Sequence, residues 1–121
     1  TGAFISKNDL SKVLKQVKIP FIKNQECAKK VQKKLKSGFK YWYFNSTTQF
    51  CAADKNGKND TCYGDDGGPA MVLVKDVKSG RWAWSQVGIV SWGNGCAQKG
   101  EYGYYTKVSA FLDWIDETIN E

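Results

Sequence analysis

The sequence predicts an all-β domain, a small antiparallel barrel with one helix set among its strands and another at its end. Three observations carry this expectation. The chain has 121 residues, 41% hydrophobic and 14% aromatic, enough for one packed core but not two. From Ala70 onward, short β-prone runs alternate with glycine-rich turns. The C-terminal segment then switches to a helical period.

Each element follows from its residues. "VLKQVKIPFI" (Val13 to Ile22) reads as a strand, with Pro20 marking an edge or an end. "NQECAKKVQKKLKSG" reads as a helix, with Asn24 as N-cap and Cys27, Val31 and Leu35 as one buried stripe. Gly38 is its stop. "TTQFCAA" (Thr47 to Ala53) looks like a strand, and "DKNGKND" after it is a polar loop. "AMVLVKDV", a "KSG" turn and "RWAWSQVGIVSW" form a hairpin. The loop "GNGCAQKGEYG" leads into the strand "YYTKV". "SAFLDWIDETINE" is an amphipathic helix with Ser109 as N-cap and Phe111, Leu112, Ile115 and Ile119 on one face. No repeat or linker divides the chain.

Composition narrows the chemistry. The chain contains no histidine, so it lacks the usual general base and imidazole ligand. Its four cysteines, Cys27, Cys51, Cys62 and Cys96, form no C-x-x-C pair, which argues against zinc. Dispersed and even in number, they point to two disulfides and an oxidising compartment, with three connectivities open. Two sequons, at Asn45 and Asn59, suit a secreted protein. No apolar run approaches the roughly 18 residues of a membrane helix. No signal peptide is visible at Thr1, so a secreted form would be a processed one. The net charge of +6 favours acidic partners.

Two local patterns stand out. In "TCYGDDGGPA" (Thr61 to Ala70), Gly64, Gly67 and Gly68 permit positive φ or close backbone approach, and successive N–H groups can converge on an anion. An ordinary hairpin corner would use the same glycines. Asp54, Asn56 and Asn59 lack calcium-loop spacing. In "KKVQKKLK", Lys29, Lys30, Lys33, Lys34 and Lys36 fall off the apolar stripe. They form a basic face, either solubilising or suited to sulfated glycans, anionic lipid or an acidic protein. Nucleic acid is disfavoured, because the aromatics of "YWYF" follow the helix rather than interleave with its lysines.

"GDDGGP" resembles the "GDSGGP" of trypsin-like serine proteases, with Asp66 in place of the nucleophilic serine. "VLKQVKIP" resembles the strand segment that opens that family's second barrel. "VGIVSWGNGCAQKGEYGYYTKV" is similar to its "GIVSWGxGCAxxxxPGVYTKV", and "FLDWIDETI" to its C-terminal helix. "TGAF" (Thr1 to Phe4) stands near the family's "TGWG". The resemblance therefore identifies residues 1–121 with the C-terminal half of the protease domain. It implies a six-stranded antiparallel Greek-key barrel with an intermediate helix and a C-terminal helix, the first barrel lying outside this chain.

The resemblance further implies disulfides Cys27–Cys51 and Cys62–Cys96. Gln16 and Val72 stand where many members have bridged cysteines. Asp60 falls at the floor of the specificity pocket, where a carboxylate receives Lys or Arg. Its walls would be Asp60 to Tyr63, Ser91, Trp92 and Gly93, and Gly103 to Tyr105, with Gly93 and Gly103 clearing the mouth. Tyr63 at the rim, or a glycan on Asn59, would restrict it. Asp65 matches the aspartate that pairs with a free amino terminus in activated members. Here it should be solvated, paired with another chain, or hydrogen-bonded in a zymogen-like way. The backbone of Gly64 and Asp66 corresponds to the oxyanion hole, and the Asp66 carboxylate is expected to occupy it. Tyr102 stands where sodium-sensitive members often carry an aromatic, implying a weak sodium site over Lys99 to Tyr102 and no other cofactor.

The expected function is that of a secreted, inactive serine protease homologue. It would pair with an N-terminal barrel and bind a protein partner or a polyanionic surface. Two alternatives stand beside it: an active protease cleaving after Lys or Arg, disabled by an engineered Ser-to-Asp change, and a heparin-binding module on the lysine helix.

Overall fold

The computed structural model describes residues 11–62 and 64–120. The "TGAF" segment and Tyr63 lie outside the described residues. Five strands form one antiparallel sheet: β1 (Phe21–Ile22), β2 (Gln49–Ala52), β3 (Pro69–Lys75), β4 (Trp82–Gly93) and β5 (Gly103–Lys107). Helix α1 (Asn24–Lys36) follows β1. A 3-10 turn (Val108–Phe111) leads into helix α2 (Leu112–Ile119). Strand order is β1-β2-β5-β4-β3. Strands β3, β4 and β5 form a meander and β2 returns beside β5, which is Greek-key order. The expected six strands number five among the described residues, and their sheet does not close.

The first strand is much shorter than the sequence suggests. Only Phe21 and Ile22 find a ladder, opposite Ala52 and Cys51. Val13 and Leu14 are exposed, and the Pro20 ring offers no N–H to a neighbour. The hairpin forms as expected. Its corner is closed by Asp76, whose N–H donates to the Arg81 carbonyl at 2.8 Å and whose carboxylate accepts from the Lys78 and Ser79 N–H groups.

Strand alternation divides the core into two clusters. On one face Cys27 and Val31 of α1 pack on Cys51 and Tyr104, flanked by Trp42 and Trp92. On the other, Phe50, Ala52, Val90 and Tyr105 pack together. Each cluster has a stacked aromatic pair, Trp92 on Tyr104 at 4.0 Å and Phe50 on Tyr105 at 5.1 Å. The disulfides are Cys27–Cys51, joining α1 to β2, and Cys62–Cys96, the pairing the resemblance implies. Each closes a loop of a few tens of residues and contributes about 3–4 kcal/mol on the chain-entropy account.

The helix ends differ in detail from expectation. Lys23, not Asn24, caps α1. Its carbonyl accepts the Glu26 and Cys27 N–H groups, and no side chain caps the helix. At the other end Gly38 has φ +100°. Phe39 N–H reaches the Lys34 carbonyl and Gly38 N–H that of Leu35, a Schellman stop. Leu35 at the end of the stripe stays 44% exposed. Ser109 does not cap α2, because the chain first makes the 3-10 turn and the cap falls on Phe111.

Candidate functional site

The glycine-rich loop between β2 and β3 meets the loop between β4 and β5, and the Cys62–Cys96 bridge ties them. Between them opens a cleft of about 230 Å³. Asp60, Thr61, Cys62 and Asp66 line one side; Ser91, Trp92, Gly93, Cys96 and Gly103 line the other. These include every described position expected of the pocket walls except Tyr104 and Tyr105, whose rings belong to the two core clusters.

Asp60 is half-buried. Its Oδ2 accepts the Ala97 N–H at 2.9 Å, while its Oδ1 is buried and without a hydrogen-bond partner among the described residues. Burial therefore holds its carboxyl above the usual carboxylate range, against the Ala97 and Thr61 backbone bonds that favour the anion. The glycines keep the cleft walls from crowding one another. A Cβ on Gly103 would stand 3.1 Å from Asp60 Oδ1, and one on Gly93 would stand 3.3 Å from the Tyr102 carbonyl oxygen. Beneath, the Thr61 and Tyr105 hydroxyls are 3.1 Å apart. Neither this hydroxyl pair nor the Ala97 contact is readable from sequence spacing.

The loop's own hydrogen bonds explain its shape. Asp65 N–H donates to the Cys62 carbonyl at 3.0 Å, and Gly68 N–H to the Asp65 carbonyl at 2.8 Å. Gly64 and Gly67 take positive φ, +93° and +84°. The Asp65 carboxylate accepts the Cys62 N–H at 2.7 Å. It is exposed and so avoids the cost of a buried, unpaired charge. Asp66 is exposed at the cleft. Among the described residues no hydrogen bond joins its carboxylate to the Gly64 or Asp66 N–H. The expected bonding of its carboxylate into that hole finds no such contact here, and the side chain is exposed.

The lysine helix is not one free basic face. Lys29, Lys33 and Lys36 are exposed. Lys34 Nζ instead donates to Glu101 Oε1 at 2.7 Å, and Lys30 Nζ lies 3.9 Å from the same atom. Lys34 also lies over the Phe39 and Trp42 rings, and Lys30 lies 5.8 Å from the Tyr102 centroid. These two lysines thus bind α1 to the loop that walls the cleft. Asp54 shapes its own loop: its carboxylate accepts the Asn56, Lys58 and Asn59 N–H groups, which hold its carboxyl below its ordinary range.

Among the described residues, no helix is long and apolar enough to cross a membrane, and no group of three His, Cys, Asp or Glu side chains could hold a metal. A family model described as Trypsin matches residues 2–115. The protein named tryptase from Mus musculus is 40% identical over 106 residues, covering 88% of this chain. The match covers 36% of that relative, so this chain spans about a third of its length.

Proposed function

The chain belongs to the trypsin family, and from that premise we propose that it is a non-catalytic member acting outside the cell, where its cleft and loops bind rather than cut. The observation that carries this reading is Asp66, which holds the nucleophile's place in "GDDGGP". A carboxylate is a poor nucleophile toward an amide, since the anhydride it would form lies far uphill. Its negative charge also opposes an oxyanion developing beside it, where the family's N–H donors normally act. The chain supplies no histidine to accept a proton. A partner half carrying histidine would leave the nucleophile unchanged.

The cleft keeps features of a cation pocket. Among the described residues Asp60 Oδ1 lacks a partner, so an ammonium or guanidinium would satisfy it. The N-terminal half of the domain is the expected first partner. A weak sodium site over Lys99 to Tyr102 rests on the resemblance alone; the Lys30 ammonium lies 5.8 Å from the Tyr102 ring centroid. Lys29, Lys33 and Lys36 remain the surface for an acidic partner or sulfated glycan.

The test uses the complete protein, both halves present, with Lys and Arg esters and amides. The expected result is no turnover above background. Turnover blocked by a serine-directed phosphonate would overturn the proposal. Strong activity on Asp66→Ser would favour a protease disabled by substitution.

A further inference from the structure

We infer that Asn45, and not Asn59, carries an N-linked glycan, and that the exposed Tyr43 ring forms the platform under its first sugar. This rests on the extracellular reading above. Both asparagines sit in Asn-X-Thr sequons, Asn45-Ser46-Thr47 and Asn59-Asp60-Thr61. Their surroundings separate them.

Asn45 Oδ1 accepts the Thr47 N–H at 2.9 Å. This Asx-turn brings the acceptor amide and the Thr47 hydroxyl onto one side of a short bend. The Asn45 carbonyl accepts the Thr48 and Gln49 N–H groups, and its N–H donates to Gln49 Oε1 at 2.8 Å. Every partner lies within four residues, so the turn can form before the disulfides close. Ser46 and Thr47 are exposed. Among the described residues the Asn45 Nδ2 group meets only the Tyr43 hydroxyl, at 3.2 Å, a weak neutral contact. Tyr43 is 61% exposed. Its electron-rich ring face suits the C–H-bearing face of a pyranose attached two residues on.

Asn59 is exposed and Asn45 half-buried, but the chemistry around Asn59 is less favourable. Its Nδ2 donates to the Asp54 carboxylate, a charged acceptor. The Asp60 anion between Asn59 and Thr61 repels a diphosphate-bearing donor. The Thr61 hydroxyl is engaged with Tyr105 beneath the cleft.

The transfer balances with a polyprenyl-diphosphate oligosaccharide as co-substrate. The Asn45 amide nitrogen bonds to the anomeric carbon and loses one proton. The bond from that carbon to the phosphate oxygen breaks, and polyprenyl diphosphate leaves with its electron pair.

The test expresses the full-length protein in mammalian cells behind a heterologous secretion signal, so that the export route is imposed. Peptide-N-glycosidase digestion in heavy-oxygen water marks each occupied asparagine as labelled aspartate. Cleavage after Lys40, Lys55, Lys58 and Lys75 then places the two sites on separate peptides. The expected result is label on the Asn45 peptide in most molecules and on the Asn59 peptide in few. Thr47→Ala, which keeps Asn45 and its turn, should abolish the glycosidase-sensitive mobility shift, and Asn59→Gln should not. Tyr43→Ala should remove the extra thermal stability of the glycosylated over the deglycosylated form. Unlabelled Asn45 in secreted, disulfide-bonded material overturns the assignment, as does equal label at Asn59. Unchanged stabilisation in Tyr43→Ala overturns the platform. Export under the protein's own leader is scored separately, so failure of the extracellular reading is not mistaken for failure of the site.

Discussion

Asp60 shows how burial sets the charge state of one side chain. Its carboxyl is held above its ordinary value by loss of water, with one oxygen anchored on Ala97 and the other buried with no partner among the described residues. The sign follows directly. Between the ordinary value of 3.8 and the raised folded value, the folded chain keeps a proton that the unfolded chain has released. Stability contributed by Asp60 is therefore full below that window and lost as pH rises through it. Asp60→Asn should remove this slope and make the protein more stable at neutral pH, as read by urea titration across the acid range. Benzamidine, whose amidinium favours the anion, should bind the parent more tightly as pH rises through the same window and bind Asp60→Asn weakly at every pH. An unchanged urea slope in the variant would show that another group titrates. Asp60 was legible in the sequence because it lies four residues before Gly64 in a recognisable motif. Its buried, unpartnered oxygen was not, because the Ala97 contact bridges 37 residues.

Elements were legible where their signals are local. The Gly38 stop, the hairpin corner at Asp76 and the glycine loop each depend on residues a few positions apart. The first strand was overread because β structure exists only where a partner strand lies alongside, and only Phe21 and Ile22 have one. Helix α1 was read correctly as a helix and wrongly as a uniform basic face. Period 3.6 places Lys30 and Lys34 off the buried stripe, but it cannot show that Glu101, 67 residues beyond Lys34, waits opposite them. The Lys34–Glu101 pair is largely shielded from water, with both side chains under 20% exposed. Lys34→Ala should cost about 1–3 kcal/mol, the value of a charge-assisted hydrogen bond with its stem packing. Lys30→Ala, at 3.9 Å, should cost at most about 1 kcal/mol. A denaturation double-mutant cycle with Glu101→Ala should show coupling for Lys34 and little for Lys30. Equal coupling for the two would contradict the geometry.

At the scale of the whole molecule, much apolar surface is left uncovered. Leu112, Trp114 and Ile119 on α2 are 55%, 65% and 75% exposed, and Trp82 and Trp84 on the hairpin are each 61% exposed. The amphipathic period of α2 was plain in the sequence, but its apolar side stays largely uncovered among the described residues. Patches of this kind drive association. The chain by itself should therefore elute from a sizing column ahead of its monomer mass, and adding the N-terminal half should give one defined complex. A clean monomer that ignores the other half would argue against that partner. The stack of Trp92 on Tyr104 has an optical consequence. Trp92 borders the cleft and is packed among aromatics, whereas Trp82, Trp84 and Trp114 face water. Iodide should therefore silence those three first and leave an emission from the interior pair, Trp42 and Trp92, whose colour changes as the cleft fills. Were the cleft to be filled, that emission would report it without a label, readable in a cuvette with no attached dye.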